Sequence, residues 1–203
     1  MVETTRRREI EEVASSLFHR HGYSGTSVRD IARALDIQGA SLYAHVASKQ
    51  DVLWSIVDRT ATRFENAAAA ATTYTTVPPS PTHTLAALVK AHVGIVTDDV
   101  QRASVFVHEW RSLSTERRAD VARRRDEYEG RFRSVIARGG EDGSFAAGDP
   151  VAAASYILTA LNGLVAWYRP DGRLSPAEIS DAYVLLSLRS VGAGSRQRHE
   201  VPA

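Results

Sequence analysis

An all-α fold is predicted: an N-terminal three-helix unit in helix-turn-helix arrangement, then a larger helical domain, about nine helices in total. Three observations carry the prediction. Apolar residues recur at three- and four-residue intervals along nearly the whole chain. Serine–aspartate pairs three residues apart stand where two of these runs begin, and no two alternating stretches flank a hairpin turn. The punctuation suggests boundaries at 1–47 for the small unit, 48–191 for the larger one and 192–203 for a flexible tail.

Ile10, Val13, Ala14, Leu17 and Phe18 share one face of a first helix near 4–21, and Gly22 follows where a left-handed residue ends a helix. Ser27 and Asp30 form a short-side-chain capping box ahead of Val28, Ile31, Ala32 and Leu35. Asp36-Ile37 is a tight break, and Gln38 to Ala44 form a short third helix. Ser48 and Asp51 repeat the cap before Val52, Leu53, Ile56 and Val57, which open a long helix reaching Ala71. The proline-rich stretch 72–82 is a connection. Further helices carry Leu85 to Val93 and Val105 to Trp110, and another runs from Ser114 to a stop at Gly139-Gly140. Asp149-Pro150 opens a helix rich in small residues, and the turn-rich 169–176 separates it from a last helix near 177–191.

With 203 residues, 43% of them hydrophobic, the chain can bury a substantial core. Its formal charge is only +1, so affinity for nucleic acid has to come from where particular side chains sit. The absence of cysteine excludes disulfides, thiol catalysis and cysteine-bound zinc. No run approaches the roughly 20 apolar residues of a membrane helix, and the N-terminal segment lacks the apolar core of a signal peptide. The expected location is the cytoplasm, with no membrane partner.

Two short helices joined by a tight turn and supported by longer neighbours make a helix-turn-helix unit. The second short helix offers the core only Ile37, Leu42 and Val46. Gln38, Gly39, Ala40, Ser41, Tyr43, Ala44 and His45 are left largely outward. Small outward residues let a backbone enter a DNA major groove about 12 Å wide, where Gln38 suits adenine and Ser41 suits either base type. Tyr43 and Lys49 suit phosphate oxygens, the lysine beside the positive end of the fourth helix.

The run GYSGTSVRDIARALDIQGASLYAHVASKQDVL, residues 22–53, resembles the DNA-binding domain of the TetR family of transcriptional regulators. The likeness lies in the T-S-V-R-D-I-A helix, the L-Y-x-H segment and the S-K start of the fourth helix. It implies that the helices near 27–34 and 38–44 form the reading unit. Thr26, Tyr43, His45 and Lys49 carry over as DNA-contacting or DNA-positioning residues, and Ser27 joins Gln38, Gly39, Ala40 and Ser41 in the expected DNA-binding set. Asp36 departs from the usual turn glycine and Val46 from the common phenylalanine. Aspartate tolerates the left-handed conformation, although its charge faces the DNA side.

The resemblance implies that the larger domain dimerises and binds an effector. A homodimer also suits a palindromic operator on double-stranded DNA, because two readers one turn apart double the contacts. The last two helices are the expected interface: 151–168 offers small residues on several faces, and Tyr183, Leu186 and Val191 form a stripe with Leu185 and Leu188 beside it. The arginine-rich stretch 109–136 reads first as a solvated face balanced by acids. With 161–186, however, it resembles a TetR subgroup that responds to acyl-coenzyme A thioesters of lipid, sterol or aromatic-acid catabolism, departing at Gly163. For such an effector, Phe106, Trp110, Tyr128, Phe132, Asn162 and Trp167 are expected to line an apolar pocket. Arg124, Arg125 and Arg169 are expected to meet phosphates.

Other function classes have less support. His83, His92 and His108 with Asp98, Asp99 and Glu109 lack the spacing of a metal motif, and no phosphate loop or nucleophile elbow occurs. No catalytic residue, metal or cofactor is therefore expected. The alternatives are a regulator of an efflux or stress gene that senses a drug-like ligand, and a helical interaction protein without DNA binding.

Overall fold

The computed structural model describes residues 2–73 and 79–194, and no strand occurs among them. The helices are α1 (Val2–His21), α2 (Val28–Ala34), α3 (Gly39–Tyr43), α4 (Lys49–Thr72), α5 (Pro81–Asp98) and α6 (Val100–His108), followed by a 3-10 turn at Trp110–Ser112. Then come α7 (Thr115–Glu141), α8 (Pro150–Asn162), α9 (Leu164–Trp167) and α10 (Pro176–Ser190). Part of the expected connection, 74–78, and most of the expected tail, 195–203, lie outside the described residues.

The chain forms two compact units, one of Met1–Thr62 with Asp99–Arg124 and one of Arg63–Asp98 with Arg125–Ala203. In the first, Ile10, Ala14 and Phe18 of α1 are buried with Ile31, Leu42 and Leu53, and α1 packs against α6. The predicted caps and the first helix stop are present, whereas Trp110, expected in the helix of Val105, lies beyond its end in the 3-10 turn. Gly22 takes φ 72°, Ser27 and Asp30 close a capping box, and the Ser48 hydroxyl accepts the Asp51 N–H. Buried Glu11 accepts from the Ser55 hydroxyl at 2.6 Å and has the Arg59 guanidinium 3.3 Å away, compensation that a carboxylate in a core requires.

In the second unit α10 packs along α5, and Leu85, Leu88, Val89, Phe132, Ile136, Phe145 and Ile157 fill the interior. Two helix ends differ from expectation. α7 runs through Gly139-Gly140 to Glu141, and the left-handed residue beyond it is Gly143, φ 80°. Gly139 is needed for space instead, because the Phe145 ring occupies the volume a Cβ would take, and the Phe145 N–H bonds to the Gly139 carbonyl at 2.8 Å. The small-residue helix also breaks at Gly163 into α8 and α9.

Pro150–Trp167 is apolar enough in composition to cross a membrane, contrary to the expectation that no stretch is. That stretch is two helices, with Ala154, Ile157, Leu158, Leu161, Leu164 and Val165 buried within its unit. Val191, expected in an outward stripe, is buried by its own chain, whereas Leu185 and Leu186 are exposed.

Candidate DNA interface and effector core

The reading unit is built by local rules. The Ile37 N–H reaches back to the Ala32 carbonyl at 3.0 Å and the Asp36 N–H to that of Arg33 at 3.1 Å, which closes the end of α2. Asp36 takes φ 53°, the left-handed conformation that reverses the chain. Leu42 then plugs the core, and Gln38, Ala40, Ser41, Tyr43 and Ala44 are exposed. A Cβ on Gly39 would meet nothing within 4 Å, so that face of α3 is open. Beside it lies a shallow depression of about 400 Å³ lined by Arg29, Ala32, Arg33, Asp36, Ile37, Gln38 and Gly39. Arg29 and Arg33 were not singled out from sequence. The signal available was two cations on the outward side of α2, four residues apart.

Four members of the expected DNA set are occupied within the protein or partly withdrawn. Thr26 is buried and its hydroxyl donates to the Gly22 and Leu17 carbonyls at 2.9 and 3.3 Å. The Ser27 hydroxyl donates to the Asp30 carboxylate at 2.6 Å, and the same contact holds that carboxyl below its ordinary range. Lys49 donates to the Tyr23 and Thr26 carbonyls at 2.9 and 2.8 Å and lies over the Tyr23 ring; burial lowers its pKa. His45 is half-buried, and its Nδ1 has no partner among the described residues.

The expected effector residues divide between the two units. Phe106, Trp110 and Arg124 belong to the first unit. There Phe106 is core, Arg111 lies over the Trp110 ring, and Arg124 bonds to Asp58 and Thr62 at 2.7 and 2.8 Å. In the second unit Asn162 and Arg125 are half-buried, while Trp167 and Arg169 stand at the surface. Trp167 stacks on Tyr183, and the Arg169 guanidinium bonds to the Tyr168 carbonyl. An aromatic on a short helix after a break faces outward here, so its residue type misplaces it.

Tyr128 and Phe132 do come together inside the second unit, joined by Phe64 and His92, which the effector set omitted. The Tyr128 hydroxyl lies 3.1 Å from His92 Nδ1. Burial drives the His92 pKa down to about 3, helped by the charge of Arg125, and pushes the Tyr128 phenol up. Both groups are neutral at any ordinary pH. No group of three His, Asp or Glu side chains suited to a metal occurs among the described residues.

Comparison with known proteins agrees with both halves of the chain. Residues 10–56 match the model of bacterial regulatory proteins of the tetR family, and 78–191 that of the tetracyclin repressor-like C-terminal domain. The chain is 27% identical to the HTH-type transcriptional repressor KstR2 of Mycolicibacterium smegmatis, over 96% of this chain and 95% of that protein. Its fold matches a tetR-family regulatory protein from Rhodococcus RHA1 with TM-score 0.83 and 29% identity, over 93% and 97% of the two chains. It matches AibR, solved in complex with isovaleryl coenzyme A and operator DNA, with TM-score 0.79 and 27% identity, over 89% and 97%. The tight turn carries an open short helix, the N- and C-terminal parts both match one family, and the chain belongs to the TetR family of transcriptional regulators, which are not enzymes.

Proposed function

We propose that this chain is a homodimeric repressor whose α3 reads a palindromic operator and that an acyl-coenzyme A thioester releases it. DNA reading falls to residues 1–47, and dimerisation and effector binding to 48–191, all in the cytoplasm. The observation that carries the reading is the outward face of α3. A structural corner has no use for a helix that buries only Leu42 and leaves Gln38, Ala40, Ser41 and Tyr43 exposed.

In this assignment Gln38 and Ser41 face base edges, Gly39 and Ala40 allow close approach, and Tyr43 meets phosphate, with Arg29 and Arg33 flanking. Thr26, Ser27, His45 and Lys49 position the reader. The dimer forms through α8 and α10, where Val151, Tyr156, Leu185 and Leu186 leave a large apolar face uncovered. The likeness to AibR, whose structure contains an acyl-coenzyme A and DNA, supports the effector class. The effector acts by favouring the state that cannot hold the operator.

The test is fluorescence anisotropy on the DNA upstream of the chain's own gene, between roughly 50 and 200 mM salt, with and without an acyl-coenzyme A panel. Tight, salt-sensitive binding released by one thioester is the expected result. Binding that no thioester releases would remove the effector class and leave the DNA reader.

A further inference from the structure

In the second unit the His92 ring lies 4.7 Å from Phe64 and 5.9 Å from Tyr128, centroid to centroid, and Tyr128 in turn packs on Phe132 at 5.6 Å. Only one nitrogen of the ring is satisfied. Nδ1 has the Tyr128 hydroxyl, whereas Nε2 is buried and has no hydrogen-bond partner among the described residues.

Proton counting settles the tautomer. Were Nδ1 protonated, it would donate to the phenol oxygen, and the phenol proton would need another acceptor; none is found among the described residues. If the phenol donates to Nδ1, both atoms are satisfied and the ring proton resides on Nε2. Burial keeps the ring uncharged, so a second proton does not alter this count. A neutral N–H therefore stands among aromatic rings with no acceptor among the described residues. Such a group is costly in a core unless a ligand uses it.

We infer that the Nε2–H of His92 anchors the carbonyl oxygen of the effector, with Phe64, Tyr128 and Phe132 as the apolar lining around it. The site thus selects apolar molecules that carry one hydrogen-bond acceptor. Taking that acceptor to be a thioester carbonyl rests on the effector class proposed above. Tyr128 is a positioning residue, which fixes the tautomer and the ring orientation.

The test uses the full chain and two pairs of probes, titrated by calorimetry. Octanoyl-coenzyme A is compared with S-octyl-coenzyme A, a thioether that keeps chain and nucleotide but lacks the carbonyl. Acetylcyclohexane is compared with ethylcyclohexane to pose the same question without the nucleotide. The native chain is expected to prefer the carbonyl member about tenfold. His92→Leu should abolish the preference, His92→Gln, whose amide still donates, should keep part of it, and Tyr128→Phe should reduce it. Thioester binding without preference, or a preference that survives in His92→Leu, overturns the anchor and leaves the effector class standing. A preference confined to the ketone pair supports the anchor and removes the thioester. No binding of any probe overturns both. Should His92→Leu fail to fold, an undiminished preference in Tyr128→Phe overturns the assignment.

Discussion

The Lys49 ammonium sits 3.9 Å above the ring of Tyr23 and donates to the carbonyls of Tyr23 and Thr26. The first turn of α4 is thereby tied to the segment that leads from α1 into α2. Thr26 closes that segment from within through the Gly22 and Leu17 carbonyls. The position of α2, and with it of α3, depends on these contacts.

Lys49→Met should therefore lower unfolding stability by about 1–2 kcal/mol and weaken operator binding without changing its salt dependence. A phosphate contact behaves otherwise: its removal lowers the slope of log K against log salt by about 0.9. Urea unfolding and anisotropy over a salt series separate the two. An unchanged unfolding midpoint with a reduced slope would give Lys49 back to the DNA.

Tyr43 and Gln38 are both exposed on α3 but should respond differently. Tyr43, 55% exposed, buries little, so Tyr43→Phe should leave the melting temperature unchanged and weaken binding to all sequences by about 1 kcal/mol. Gln38→Ala should act at one base position, flattening the preference there by about 1–3 kcal/mol. Binding measured across single-base operator variants distinguishes a uniform loss from a local one. Uniform loss with Gln38→Ala would take it off the base edge.

What the sequence disclosed follows the range of the physics involved. The caps at Ser27 and Ser48, the helix stop at Gly22 and the left-handed Asp36 each depend on residues within one turn, and all were legible. Gly139 was misread because its partner, Phe145, makes it a packing position within a helix, not a stop. The family likeness marked Thr26 and Lys49 as important but did not say which way they point. Their partners lie up to 26 residues away, beyond any local period. His92 reads as one more core position of α5, and only the fold shows that one of its nitrogens is unmatched.

The depressed pKa of His92 has a sign that can be measured. The unfolded ring titrates near 6.5 and the folded one near 3, so between these values the unfolded state binds more protons. Stability should be full at neutral pH and fall as pH drops below about 6.5, by up to about 2 kcal/mol at pH 5. The capped carboxylates Asp30 and Asp51, whose pKa values are lowered, add their loss only below about pH 4. Urea midpoints of the native chain and His92→Leu at several pH values isolate the histidine. Equal slopes in the two proteins would mean that His92 is protonated at little cost.

The uncovered face of α8 and α10 gives a prediction about assembly. Tyr156 of α8 is 66% and Leu186 of α10 59% exposed, large for apolar side chains on two helices that pack together in one unit. A charge at the centre of an apolar interface stays desolvated and unpaired in the dimer, so Leu186→Asp should yield a folded monomer. Sedimentation would show the halved mass, and binding to a palindrome should drop to that of a half-site. A Leu186→Asp protein that remained dimeric would put the interface elsewhere.

Asp36 combines two costs at one position. Its φ of 53° is a conformation glycine adopts without penalty, and the residue lines the same depression as Arg29, Arg33 and Gln38, on the side proposed to face DNA. Asp36→Gly removes the backbone strain but frees the unfolded chain, so the net gain in stability should be small, about 0.5 kcal/mol. Removing the charge should matter more for binding, because the aspartate repels phosphates and partly neutralises the neighbouring arginines. Affinity for operator and for random DNA should rise together, about threefold or more at roughly 50 mM salt and less at 200 mM. A gain confined to the operator would mean instead that Asp36 touches a base, since repulsion from the backbone cannot tell one sequence from another.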